Sequence, residues 1–212
     1  MSEERITFQC GDLKLEGIIT ISECKSPFPA VVLCHPHPLY GGDMHDRVIS
    51  TIAQALLNKS VAAFRFNFRG VGESQGSYGG GKGEQQDAVA AIDYISTRTE
   101  IASNKIGLAG YSFGGGVAFN VALKDDRVKA LALVSPVIPD SGWKRLGAYS
   151  KPKLLVLGDN DEYFPLAKYE PKIKSALKPN EYAIFPGTDH FWTGSAVTMA
   201  ERVADFFIGI LI

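Results

Sequence analysis

The sequence has little cysteine, little tryptophan and almost no net charge. Three cysteines stand in 212 residues: Cys10, Cys24 and Cys34. An odd number without close spacing excludes a disulfide framework or a cysteine zinc site, and it fits a reducing compartment. The three read as buried or incidental thiols. The formal net charge of -1 gives no electrostatic reason to expect nucleic acid or an anionic membrane as partner. No apolar run approaches the roughly 20 residues of a membrane helix. The polar start, Met1 to Arg5, does not read as a secretory signal. The expectation is a cytoplasmic protein with neither nucleic acid nor membrane as partner.

What is present is enough chain for one domain with a sizeable core, expected to run over residues 1–212. The stretch "RITFQCGDLKLEGIITIS" alternates apolar and polar residues about Gly11-Asp12 and predicts a β-hairpin. After it, strand and helix patterns alternate. Predicted strands are "AVVLC", "VAAFRFNF", "KIGLAGY", "VKALALVSPV", "KPKLLVLGD" and "EYAIFPG". Predicted helices run over 44–57, 84–96, 113–123, 165–177 and 196–207. The pattern predicts an α/β fold: a mostly parallel sheet of about eight strands, entered by an antiparallel hairpin, with helices on both faces. No linker or internal repeat interrupts it.

One segment stands out against this frame. "GLAGYSFGGG" places Ser112 directly between a buried strand and a helix, with Gly110 and Gly114 two residues to either side. A serine on so tight a turn needs a strained backbone and neighbours without side chains. G-x-S-x-G in this context is the nucleophile elbow. A serine hydroxyl needs a base, and the base needs an orienting acid. His190 is the one histidine after Ser112, at the end of the last strand in "IFPGTDHFW". "LLVLGDNDEYFP" offers Asp159 and Asp161 beyond an earlier strand. In a parallel sheet these strand ends share one edge. Asp189 reads as a turn residue.

Donors for a developing oxyanion are expected from the N–H of Phe113 and from the loop "HPHPLYGGDM". Pro36 and Pro38 have no N–H. His37, Leu39 and Tyr40 remain, with His37 favoured by its distance from the strand end.

Two other motifs fall short. "GSYGGGKG" fits a phosphate loop up to Lys82, but Gly83 stands where Ser or Thr must hold magnesium. "RGVGESQG" has the wrong glycine spacing for a dinucleotide turn. His35 and His37 lie two apart without the cluster that would complete a metal site.

Through "LCHPHPLYGGDM", "FNFRGVGESQG", "GYSFGG", "GDNDEYFP" and "GTDHF", in that order, the chain resembles the α/β-hydrolase fold superfamily over nearly its whole length. It is most similar to small cytoplasmic hydrolases without a cap domain, with dienelactone-hydrolase-like proteins and short carboxylesterases among the relatives. In such families the acid closes a G-x-x-D stretch before an apolar-Pro pair. The resemblance therefore implies Asp161, the last residue of Gly158-Asp-Asn-Asp161, over Asp159. The chain departs from dienelactone hydrolases in carrying Ser112 where they use cysteine, and it has His35-Pro36 where many members have His-Gly.

The expected activity is that of a serine hydrolase cleaving small carboxylic esters or thioesters through Ser112, His190 and Asp161. Water and a small ester are its partners, and no cofactor or metal is implied. A peptidase, perhydrolase or carbon–carbon hydrolase would use the same three residues, and a ligand-binding protein on this scaffold would need none of them. The connection "IPDSGWKRLGAYSKP" is too short for a cap domain. A shallow substrate pocket is therefore expected, walled by Tyr40, Trp143, Phe164 and Trp192 beside Phe113. The apolar end "FFIGILI" is expected to pack within the chain; as an exposed patch it would make a homodimer instead of a monomer.

Overall fold

The computed structural model describes residues 2–22, 27–176 and 181–212; Cys24 and Leu177 lie outside the described residues. The strands are β1 (Ser2–Cys10), β2 (Leu13–Ile21), β3 (Phe28–Cys34), β4 (Ala62–Phe66), β5 (Ile101–Tyr111), β6 (Val128–Val134), β7 (Lys153–Gly158) and β8 (Glu181–Phe185). The helices are α1 (Arg47–Asn58), α2 (Lys82–Thr97), α3 (Phe113–Ala122), α4 (Gly142–Ala148), α5 (Leu166–Ala176) and α6 (Ala196–Leu211). The eight strands form one sheet in the order β1-β2-β4-β3-β5-β6-β7-β8. β1 and β2 join antiparallel as a hairpin that attaches antiparallel to β4, and every later pairing is parallel. This is the α/β-hydrolase architecture the sequence predicts.

The sheet is buried on both faces, so β3, β6 and β7 are continuous apolar runs broken only by Lys129 in β6 and Lys153 at the start of β7. Alternation along β3 sends Val31 and Leu33 into the core under α1 and α6. Ala30, Val32 and Cys34 go to the opposite core, with α2, α3 and α4. Helices on opposite faces follow from right-handed crossovers running outward in two directions. β3 leads to β4 on one side and β5 to β6 on the other. The crevice between the carboxyl ends of β3 and β5 is therefore the switch point where α/β sheets bind ligands.

Element boundaries differ from expectation where side chains intervene. α1 starts at Arg47 rather than Met44, because the Asp46 carboxylate accepts the N–H groups of Val48 and Ile49 as an N-cap. The connection after β6, expected as a loop, contains the seven-residue α4, too short to show a helical period. It is no cap: Trp143 and Leu146 fold inward onto the core. α6 carries on to Leu211 and buries Phe206, Phe207 and Leu211 beneath it, so the apolar end packs within the chain. Among the described residues no helix is long and apolar enough to cross a membrane.

Candidate active site

Ser112 sits between β5 and α3 with φ 54° and ψ -118°, a conformation a side-chain-bearing residue rarely adopts. The turn is held by hydrogen bonds at both ends of the residue. The Ser112 N–H donates to Val134 O at 2.9 Å, and its carbonyl accepts from Gly115 N at 3.0 Å and Val137 N at 3.0 Å. The flanking glycines are steric necessities. A Cβ at Gly110 would lie 2.2 Å from Gly114 O, and one at Gly114 would lie 2.2 Å from Cys34 O. Removing both side chains lets the start of α3 approach the end of β3.

Three residues from three loops meet here. Ser112 Oγ lies 3.0 Å from His190 Nε2. On the far side of the ring, His190 Nδ1 lies 2.7 Å from Asp161 Oδ2. Asp161 Oδ1 accepts the N–H groups of Tyr163 at 3.0 Å and Phe164 at 2.9 Å. Asp161 is 3% exposed and His190 8%. Burial by itself would raise the Asp161 pKa, but the hydrogen bond and charge of His190 and the Phe164 N–H outweigh it and hold the carboxyl below its ordinary range. The other two acids are turned elsewhere. Asp159 Oδ1 accepts Gly187 N–H at 2.6 Å, and Asp189 Oδ1 accepts Thr193 N–H at 2.8 Å.

The loop carrying His190 is fixed by two residues outside the Ser112, His190 and Asp161 set. Tyr111, next to Ser112, donates its hydroxyl to the His190 carbonyl at 2.9 Å. Arg47, at the start of α1, reaches the carbonyls of Phe191 at 2.6 Å and Trp192 at 3.4 Å. Tyr111 had a signal in its position within G-Y-S; Arg47 had none.

The loop after β3 approaches from the other side. His37 precedes a 3-10 turn at Pro38–Tyr40. The Leu39 N–H donates to His37 Nδ1 at 3.2 Å and the Tyr40 N–H to His37 O at 3.1 Å, so both are taken. The His37 N–H has no partner among the described residues. The Phe113 N–H, first in α3, is free as helix geometry requires. The rings of His37 and Phe113 lie 4.7 Å apart. His35 is a buried ring that accepts the Phe68 N–H on Nε2 at 3.0 Å and donates from Nδ1 to Pro36 O at 2.7 Å, leaving no lone pair for a metal. The phosphate-loop pattern is occupied from within: the buried Glu84 carboxylate accepts the N–H groups of Gly79 and Gly81, both at 2.7 Å.

The aromatic wall differs from expectation. Tyr40 is 87% exposed at the site edge. Trp192 is 0% exposed and packs on Phe185 under α6. Trp143 and Phe164 are buried together against Tyr169 of α5. These three stabilise the loops from beneath and present no surface to a ligand. The exposed rings beside His190 are Tyr163, at 4.9 Å, and Phe191, at 5.7 Å. Each directly follows or nearly follows a site residue in sequence, which was their available signal. A cavity of about 240 Å³ adjoins Phe113, bounded by Gly81, Lys82, Val117, Asn120 and Val137.

This fold, with a serine elbow at the switch point and no cap between β6 and β7, is that of an α/β hydrolase. Residues 79–203 match the dienelactone hydrolase family, and the chain belongs to that family. Among solved structures it is similar to an alpha-beta serine hydrolase homologue from Coxiella burnetii, at 33% identity and a TM-score of 0.87, covering 97% of each chain. XC6422 of Xanthomonas campestris, described as a serine hydrolase without lid, shares the fold at 24% identity and a TM-score of 0.85, over 99% of this chain and 95% of that one. An uncharacterized protein of Rickettsia prowazekii is 28% identical over 215 residues, spanning 97% of this chain and 89% of its own length.

Proposed function

We propose that this hydrolase is a serine carboxylesterase acting on small esters or thioesters. Ser112 is the nucleophile, His190 the general base and acid, and Asp161 the orienting carboxylate. The observation that carries the reading is the continuous hydrogen-bonded line Asp161–His190–Ser112, ending at a strained serine on the ligand-binding edge.

The chemistry follows from that line. The Asp161 carboxylate keeps the proton on His190 Nδ1, which leaves the Nε2 lone pair facing Ser112 Oγ. As Oγ attacks the ester carbonyl carbon, Nε2 takes its proton. The N–H groups of Phe113 and His37 receive the negative oxygen; His37 is the donor left over once Leu39 and Tyr40 are spoken for. The tetrahedral species collapses as His190 returns the proton to the leaving alcohol. Water then repeats the sequence on the acyl-enzyme and releases the acid. Neither half-reaction needs a cofactor.

The cap-less edge, with only the seven-residue α4 between β6 and β7, supports small acyl groups. The test is pre-steady-state hydrolysis of 4-nitrophenyl acetate: a burst stoichiometric with enzyme in the wild type, absent from Ser112→Ala. Slow, burst-free release equal in the two proteins would refute the acyl-enzyme route.

A further inference from the structure

The glycine-rich stretch after β4 has no part in the reaction above, yet it is firmly built. Arg69 at its start holds Asp87 through Nε and Nη2, at 2.9 and 2.8 Å from Oδ1. The Gln75 N–H donates to Lys14 O at 2.9 Å, and the N–H groups of Gly79 and Gly81 end on Glu84. Between these anchors stands Tyr78. Its hydroxyl lies 3.3 Å from His37 Nε2, and its ring lies 5.0 Å from the His37 ring and 5.9 Å from Phe113.

The hydrogen bonds specify the His37 ring. Nδ1 accepts the Leu39 N–H, so the proton of the neutral ring is on Nε2 and is donated to the Tyr78 oxygen. Burial lowers the His37 pKa, which favours that neutral ring. The ring is thus gripped at both nitrogens and packed between Tyr40 and Phe113, each 4.7 Å away. A side chain held at its far end constrains its own Cα and peptide plane, and the His37 N–H lies in that plane.

We propose that Tyr78 is a positioning residue for the oxyanion hole: by holding the His37 ring it aims the His37 N–H at the oxyanion. This rests on the esterase reading and adds to it a residue outside the loops that carry Ser112, His190 and Asp161. The oxyanion is a stronger acceptor than the ground-state carbonyl, so slack in the donor costs turnover and leaves substrate binding nearly unchanged.

The test is steady-state hydrolysis of 4-nitrophenyl acetate by the wild type, Tyr78→Phe, His37→Asn and the double variant. Asparagine keeps an oxygen for the Leu39 N–H but cannot reach Tyr78. Each single variant is expected to lose about tenfold in kcat, less than the 10²–10³ lost with a whole donor. KM stays within about twofold, melting temperatures stay close to wild type, and the double variant loses no more than either single one. A Tyr78→Phe kcat within about twofold of wild type, a loss confined to KM, or losses that multiply in the double variant would overturn the proposal. Wild-type turnover, and its loss in Ser112→Ala, reports separately on the esterase reading. If the wild type turns over and Tyr78→Phe matches it, only the positioning role falls; an inert wild type takes both down.

Discussion

The Tyr111 hydroxyl donates to the His190 carbonyl at 2.9 Å across 79 residues of sequence, and both groups are buried. The residue beside the proposed nucleophile therefore fixes the loop that carries the proposed base. Tyr111→Phe keeps the ring and leaves a buried carbonyl without its donor. We expect a stability loss of about 1–3 kcal/mol in urea denaturation and a several-fold fall in kcat. Unchanged stability would mean that the carbonyl finds another donor.

Asp161 and Asp159 lie in one loop with different partners, His190 and Gly187. Asp161→Asn should lower kcat by roughly 10³–10⁴, because the amide no longer enforces the tautomer that leaves Nε2 free. Asp159→Asn keeps an oxygen for the Gly187 N–H and should stay within about threefold of wild type. Ester hydrolysis by the two variants, compared at equal folded concentration, checks the pair. A reversed order would transfer the carboxylate role to Asp159.

His35 is a pH-sensitive part of the fold. Burial pushes its pKa from the usual 6.5 down to about 4, against smaller opposing effects of the Pro36 carbonyl and Asp43. Below pH 6.5 the unfolded chain takes up a proton that the folded chain refuses. The contribution of neutral His35 is therefore complete above 6.5 and is lost progressively as pH falls toward 4, by on the order of 3 kcal/mol. Denaturation of the wild type and of His35→Asn across this range separates this effect from that of the carboxylates. Asparagine does not titrate, so its stability should fall less steeply; parallel curves would contradict the assignment.

Substrate length should matter early and then cease to. Each methylene buried adds about 0.8 kcal/mol only while a wall covers it. Around His190 the chain has exposed single side chains such as Tyr163 and Phe191 and no cap. Acetyl to butyryl esters should be preferred to dodecanoyl. A kcat/KM that keeps climbing beyond octanoyl would reveal a deep channel.

Much of this is legible in the sequence for identifiable reasons. Buried parallel strands are continuous apolar runs, so β3, β6 and β7 are read directly. Ser112, His190 and Asp161 follow strand ends, and a parallel sheet brings such ends to one edge, so their meeting is readable without coordinates. Burial in loops is not readable in this way. Phe164 and Trp192 occupy loops a pocket wall should come from, and Trp143 the short α4 within another such connection, yet all three face the core, which periodicity does not reveal in irregular backbone or in so short a helix. Trp192, at φ 60°, shows how far the local chain departs from any regular pattern. The seven-residue α4 is missed for the related reason that its two large buried side chains, Trp143 and Leu146, are too few to make a period. Arg47 acts on loop carbonyls, and no side-chain motif records a bond to a carbonyl.

The central claim is that Ser112 is a nucleophile activated by His190. Its most direct measurement is labelling by a fluorophosphonate probe, read by intact mass and peptide mapping. The account predicts one adduct per chain, on Ser112, absent from Ser112→Ala and strongly slowed in His190→Ala, with both variants folded. An adduct that persists in Ser112→Ala, or a folded wild type that takes up no probe, would contradict it.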